Sequence, residues 1–537
     1  MMRFAARCAV IVLGGMLCVP AGAATPSPTH HRAHRVKPLK FQVAKLLADP
    51  AVSRSHWGIA VTKMDGTRVY ALNAGQFFHP ASNAKLFTTT AAVALLGSSA
   101  TVTTRIAAMS LPNKDGVLPH GGLRLMGAGD ANLSGRTTPY IPPALQPNPA
   151  PPEVDPLRFL EEMADQVAKT GLKVVEGDIV GDDSLFPWQP YPEDWSMDDA
   201  VWGYGAPVSA LTVEDNMLKL TVTAPALAGA PATVAIEQAV PYYTVESSVT
   251  TTSVNTMPAV GIDRSPGSKT VRVYGTVPAG MQAMTSHLAI EDPAEYAAMA
   301  FRQMLEQRGI RVTGKARAEH RLSVDTANFV DEAQQPLMLP PTDKGTQPGC
   351  TDFCTTLAEH VSPRLIDDIV ATNKVSQNLH AELLLRRLGK AFADDGSAVQ
   401  GARVVRTFLT TLAGVNKDDF VFFDGSGLSG HDLVAPRATA QLLQYASTQP
   451  WFADWKSSLP VGGVDGTLAG RFTQAPLRGN VFAKTGTLGE ARALSGYIDC
   501  VSGRTVIFSI MVDNHAPHSH ADETAMDKIV AAIAATN

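Results

Sequence analysis

Three short groups of side chains carry the chemistry this sequence can offer. The first is Ser82-Asn83-Ala84-Lys85. A serine and a lysine three apart at the start of a helix share one face, about one turn from each other. The hydroxyl then sits at the positive helix end, within reach of an amine able to take its proton, which is the arrangement of an activated nucleophile. Such a lysine must shed its own proton, and that demands a crowded or desolvated site. Alone, the same letters describe a capped helix with a surface lysine. The second group is Ser376-Gln377-Asn378, where a hydroxyl can relay a proton and an amide can hold a substrate amide. Ser253-Val254-Asn255 repeats its letters inside a Thr/Val-rich stretch that reads as ordinary polar β structure. The third is Lys484-Thr485-Gly486-Thr487: a cation and hydroxyls for a carboxylate, with a glycine that lets backbone approach closely. Lys169-Thr170-Gly171 copies it where a helix ends, and there glycine reads as a C-cap.

The elements needed to position these groups are legible in the pattern. A helix is expected from about Ala84 to Leu96, straight after His79-Pro80-Ala81-Ser82. Val481 to Thr487 reads as a strand, followed by strands at Leu494 to Val501 and Thr505 to Val512 and a closing helix from Asp527 to Ala535. Near the other end, a helix at Leu39 to Leu47 precedes strands at Trp57 to Val61 and Val69 to Ala71, joined through the turn Met64-Asp65-Gly66. Helical periodicity dominates from Leu365 onward. Between about 104 and 321 the texture is β-rich, as in Leu218 to Thr223 and Thr270 to Tyr274, interrupted by a helix at Leu157 to Lys169. Pro139 to Pro156 holds eight prolines and reads as an exposed loop. The whole is an α/β fold split by a long, mainly β insertion.

Composition narrows the class. Of 537 residues 45% are hydrophobic and 18% charged, so the chain can bury large cores and is not intrinsically disordered. A net charge of −5 argues against a nucleic-acid partner held by a basic surface. Arg3 and Arg7, the apolar run Cys8 to Val19 and Ala21-Gly22-Ala23 read as a secretory signal cut near Ala23, too short to span a membrane. Nothing later approaches a membrane span, which implies an exported, periplasmic protein with no transmembrane segment after cleavage. Residues 24–38, rich in Pro, His and Arg, read as a flexible leader. Cys350 and Cys354 lie four apart, as a small loop-closing disulfide requires, while Cys500 reads as a buried small hydrophobe. His30, His31 and His34, like His515, His518 and His520, form no convincing ligand set, so neither metal nor cofactor is expected.

Taken together, the order Ser-x-x-Lys, Ser-x-Asn, Lys-Thr-Gly resembles the penicillin-binding and β-lactamase superfamily. Some 290 residues separate Ser82 from Ser376, against 108 from Ser376 to Lys484. That long first interval is similar to the class C low-molecular-mass penicillin-binding proteins of the D-Ala-D-Ala carboxypeptidase/endopeptidase type (the penicillin-binding protein 4 type, peptidase family S13). Gly127 to Asp130, Glu176 to Asp178, Asp182 to Phe186, Tyr204 to Leu211, Asp424 to Ser429 and Leu494 to Tyr497 look like that family too. The resemblance implies a β-lactamase/DD-peptidase-like catalytic domain from residues 39–103 and 322–537, an inserted domain from 104–126 and 207–321, and another from 127–206. It implies Ser82 as nucleophile on D-alanyl-D-alanine peptides, Lys85 as general base, Ser376 as proton relay and Asn378 as amide holder. Lys484 and Thr485 would take the terminal carboxylate on the Lys484-Thr485-Gly486-Thr487 strand, and the N–H groups of Ser82 and Thr487 would form an oxyanion hole. Peptidoglycan peptides would be substrates and penicillins acylating inhibitors. Asp182 aligns with an aspartate that meets a stem-peptide amino group, and a turn-capping carboxylate is the competing reading. Gly489-Glu490-Ala491-Arg492 departs from the family pattern and adds two charges beside the cleft. A class A β-lactamase would also need a deacylating Glu-x-x-Leu-Asn after the second motif, and none follows Ser376. An esterase or a non-catalytic sensor on the same fold is the remaining alternative.

Overall fold

The computed structural model describes residues 37–149, 154–339 and 355–537. The signal sequence, nearly all of the leader, its three histidines and the Cys350–Cys354 pairing lie outside them.

One sheet joins the two ends of the chain. Its five antiparallel strands run in the order Val481–Leu488, Ala491–Asp499, Thr505–Asp513, His56–Lys63 and Arg68–Leu72. Both faces are covered, and alternate residues serve different cores because successive side chains point to opposite faces. Ile59, Val61, Leu494, Ile498, Phe508 and Ile510 pack on one side with the helices Leu39–Leu47 and Ala521–Thr536. Ala60, Ala493, Tyr497, Ile507 and Met511 face the other side, where the helices Ala84–Leu96, Leu365–Lys374, Asn378–Ala393, Ala398–Thr411 and Pro436–Ser447 stack. The first of these helices is buried from Ala84 through Val93, its lysine and threonines included, and Lys85, Thr88 and Thr89 on one side are satisfied by hydrogen bonds.

The intervening chain builds its own core, drawn from Ile106 to Ala358. Its largest sheet runs Ala316–Arg321, Ile179–Pro187, Leu123–Met126, Thr103–Ala108 and Thr355–Val361. The first three strands are parallel and the rest antiparallel. Three three-stranded sheets accompany it: Thr244–Thr252, Thr270–Pro278 and Ala259–Asp263; Met284–Ala289, Met217–Thr223 and Thr233–Ile236; and the short Arg311–Val312, Val174–Val175 and Val117–Leu118. Strand pairing therefore crosses positions 126/127 and 321/322, the domain boundaries that the family resemblance implies. Composition registers each strand but not its partner.

The two false motif copies are structural. Gly171, at φ +82°, follows the end of the helix Arg158–Lys169, and Ser253 to Asn255 form an exposed turn beyond the strand Thr244–Thr252. The proline-rich stretch is largely exposed where it is described; among its half-buried residues is Tyr140, whose hydroxyl accepts from the N–H of Gly466 at 3.3 Å. Cys500 is buried and unpaired.

Candidate active site

Ser82 occupies the short 3₁₀ turn Ala81–Asn83 that leads into the helix Ala84–Leu96. Ala81 holds φ +45°, a left-handed conformation that a residue with a Cβ adopts only under constraint. Two glycines show what constrains it. A Cβ on Gly427, itself at φ +81°, would lie 1.8 Å from the Ala81 carbonyl oxygen. One on Gly486 would come within 2.7 Å of the Pro80 oxygen and 3.0 Å of the Ser82 nitrogen. The loop after Gly425 and the strand Val481–Leu488 thus press against the Ser82 turn from two sides, and only glycine permits either approach. Asn83 locks the second contact by donating from Nδ2 to the Lys484 carbonyl at 3.0 Å.

Lys85 follows one turn later and is fully buried. Its Nζ donates to Ser82 Oγ at 2.8 Å, Asn378 Oδ1 at 2.6 Å and the Ser426 carbonyl at 2.7 Å. Burial pulls the amine down to about 7, against the opposing pull of Asp424, Glu382 and Asp432. That opposition is blunted, because burial together with the Asp424 charge pushes Glu382 up to about 8 and Asp432 well above the carboxylate range. Neutral carboxyl groups do not pin an ammonium, so the amine is free to be a base near neutral pH. Asp424 organises the turn beneath: its carboxylate accepts N–H bonds from Ser426, Gly427, Leu428 and Ser429 at 2.6–3.0 Å and the indole N–H of Trp195 at 2.9 Å.

Ser376 stands just before the helix Asn378–Ala393 at φ +62°. Its Oγ accepts from Lys484 Nζ at 2.8 Å, and the same Nζ donates to the Thr485 carbonyl at 3.0 Å. Lys484 is also wholly buried, and desolvation plus the nearby Lys85 hold its amine well below the usual lysine range. Asn378 Nδ2 donates to the Tyr204 carbonyl at 2.9 Å, which ties the inserted chain to the site. Thr485 is partly buried, its hydroxyl 2.7 Å from that of Thr467, and Thr487 is exposed at the strand edge. A cavity of about 360 Å³ opens against Ser376, Gln377 and Asn378, roofed by Trp202, Tyr204 and His287. A smaller one of about 130 Å³ lies along Thr485, Gly486 and Thr487.

Hydrogen bonds thus gather these residues in two groups, Ser82 and Asn378 on Lys85 Nζ and Ser376 on Lys484 Nζ, with Asn83 tying the strand of the second to the turn of the first. Asp182 belongs to neither group. It sits in the strand Ile179–Pro187, where its Oδ2 is 2.8 Å from Arg124 Nη1 and its Oδ1 accepts from the Ser184 N–H at 3.0 Å. The second contact is a local side-chain bond within the strand. Nor is Arg492 a loose charge: it donates to Asp522 at 2.9 Å and to the Ser519 carbonyl. Asp424, Glu382 and the Ser426 and Tyr204 carbonyls carry no motif of their own. The glycine- and serine-rich run Asp424 to Ser429 and the stretch Tyr204 to Leu211 are the visible signals for them, and Glu382 has none. Among the described residues no group of three or more His, Cys, Asp or Glu side chains is placed to hold a metal ion, and no helix is long and apolar enough to cross a membrane.

The model of the D-Ala-D-Ala carboxypeptidase 3 (S13) family matches residues 39–337 and 345–536. The chain belongs to that family. A D-alanyl-D-alanine carboxypeptidase from an Actinomadura species is 31% identical over 524 residues, covering 95% of this chain and 88% of the relative. The D-alanyl-D-alanine carboxypeptidase DacB of Haemophilus influenzae is 25% identical over 65% of this chain and 68% of its own. Among solved structures, penicillin binding protein 4 of H. influenzae superposes with a TM-score of 0.74 at 23% identity, over 91% of this chain and 97% of that one. The fold is therefore that of the S13 peptidases, and the serine-peptidase reading of the three motifs rests on family membership as well as on their geometry.

Proposed function

We propose that this S13 family member is an exported, periplasmic serine-type D-Ala-D-Ala carboxypeptidase, with endopeptidase action on cross-linked stem peptides, acylated by penicillins at Ser82. One observation carries the reading: a desolvated amine, down at about 7, lies 2.8 Å from a half-buried serine hydroxyl at the head of a helix. Neutral Lys85 takes the Oγ proton as Ser82 bonds to the carbonyl carbon of the penultimate D-alanine. The N–H groups of Ser82 and Thr487 receive the developing oxyanion. The proton that Lys85 has taken returns by way of Ser376, itself bonded to Lys484 Nζ, to the departing nitrogen; the C–N bond breaks, D-alanine leaves, and Lys85 is neutral again with Ser376 a hydroxyl. Water then attacks the ester, neutral Lys85 accepts its proton and passes it to Ser82 Oγ as the ester C–O bond breaks, and the shortened peptide leaves as its carboxylic acid. Asn378 holds the peptide amide while Thr485 and Lys484 face the terminal carboxylate. We also infer the catalytic portion to be residues 39–103 and 322–537, with the interposed chain shaping the cleft through Trp202, Tyr204 and His287. The test is a product assay with a stem pentapeptide and a cross-linked muropeptide dimer. D-Alanine release by wild type, lost in Ser82→Ala, is the expected result. Wild-type protein that is folded yet releases nothing from either substrate overturns the proposal.

A further inference from the structure

His380 lies two residues beyond Asn378, in the first turn of the helix Asn378–Ala393, and its side chain is wholly buried. Both ring nitrogens face carboxylate oxygens: Nδ1 lies 2.6 Å from Asp368 Oδ1 and Nε2 lies 3.3 Å from Asp215 Oδ1. A neutral imidazole donates from one nitrogen only and would turn a lone pair toward the other carboxylate, so two such partners select the imidazolium. The carboxylates come from opposite directions. Asp368 belongs to the helix Leu365–Lys374 that precedes Ser376. Asp215 comes from the insertion, on the run Glu214–Asn216 in which all three residues hold φ of 53–54°. Arg136 pairs with Asp215 from the same side, and Gln377, between Ser376 and Asn378, donates to Asp215 Oδ2 at 3.3 Å. Asp130 and Arg387 complete the charges around the cluster. Arg136, Asp215, His380 and Asp368 sum to zero only while the ring is charged.

We propose that His380 is a positioning residue for acylation: as an imidazolium clamped between Asp368 and Asp215, it fixes the Ser376–Asn378 turn against both the preceding helix and the insertion, and so keeps Asn378 in register with Lys85. The inference rests on Ser82 being the nucleophile. Ser376 holds a left-handed φ and Asn378 must present Oδ1 to Lys85 Nζ at 2.6 Å while Nδ2 reaches Tyr204. Neither is fixed by the helix alone, since both residues lie at or before its first turn. Burial would lower the ring, but the two carboxylates outweigh it and hold His380 up at about 9. The clamp is therefore complete below the ordinary histidine value of about 6.5 and persists to about 9, then opens as pH rises further.

The experiment follows acylation by a fluorescent penicillin from pH 5.5 to 10.5, with rates expressed per titratable site so that partial loss of folded protein does not enter. Wild type should accelerate through about 7, as Lys85 loses its proton, and slow again through about 9. His380→Gln should lower the plateau by about tenfold to a hundredfold, the scale of a sub-ångström to 1 Å misplacement. It should keep the rise and lose the alkaline fall. If that variant does not fold, Asp215→Asn replaces it and should move the alkaline fall to lower pH. A wild-type profile flat from 8 to 10.5, a variant that is slower but keeps its alkaline fall, or an unmoved fall in Asp215→Asn overturns the inference. No adduct at all on folded wild type would instead refute the reading of Ser82.

Discussion

Lys85 makes its three hydrogen bonds with one proton more than a base can carry, so its ionisation controls the site. Because burial lowers this amine to about 7, the neutral form prevails above that value and the charged form below it. Acylation of Ser82 by penicillin should therefore fall about tenfold per pH unit below 7, read as a stopped-flow or gel-based second-order rate. Asn378→Asp places a carboxylate where an amide oxygen lies 2.6 Å from the amine, which stabilises the ammonium. The acid limb should move up by about 1–3 units, with little change in far-UV circular dichroism. Lys85→Arg keeps the charge but cannot deprotonate, and penicillin labelling should drop by at least about a thousandfold. The pairing of Ser82 with Lys85 was legible because helical spacing alone puts residues three apart on one face. The partners that tune the amine were not. Ser426, Asp424 and Glu382 reach it across roughly three hundred residues of chain, and no local spacing encodes such contacts. Asp182 is a case of the same kind: its partner Arg124 lies 58 residues earlier, a contact that no motif displays.

Close backbone approach is the device at the scale of elements. The strand Val481–Leu488 and the Asp424–Ser429 turn reach Ser82 because Gly486 and Gly427 have no Cβ. Gly427→Ala puts a methyl 1.8 Å from the Ala81 oxygen at a left-handed φ. It should cost about 1–3 kcal/mol in urea unfolding and depress acylation more than folding, because the displaced group is the nucleophile's own turn. Equal effects on the two would contradict this placement of the turn. The sequence marked the strand, the helix Ala84–Leu96 and the terminal strands clearly, since apolar periodicity is a local property. Pairing is not local. One sheet joins Thr355–Val361 and Ile179–Pro187 with strands at 103–108, 123–126 and 316–321, partners that lie up to about 250 residues apart in the chain.

Over the whole molecule, buried acids and bases make stability depend on pH in a predictable sense. Glu382 is held up at about 8, so the folded chain binds a proton there that the unfolded chain releases near 4.5. Its contribution to stability is greatest below that lower value and declines as pH rises toward 8. Glu382→Gln retains the acceptor for the Gly425 N–H, 2.8 Å away, without the ionisation. It should melt higher than wild type at pH 8 and close to wild type at pH 5, by differential scanning calorimetry. The two-part architecture, a sheet made from both chain ends and a β-rich insertion with its own core, followed from texture along the sequence. The cleft did not, since it is assembled from Tyr204 on the insertion, Ser376 and Asn378 on one helix start and Lys484 on the opposing strand. The account stands most directly on where penicillin attaches. Peptide mapping by mass spectrometry after brief labelling should find the penicilloyl group on the peptide bearing Ser82 and nowhere else, and an adduct on another residue, or none on folded protein, would contradict it.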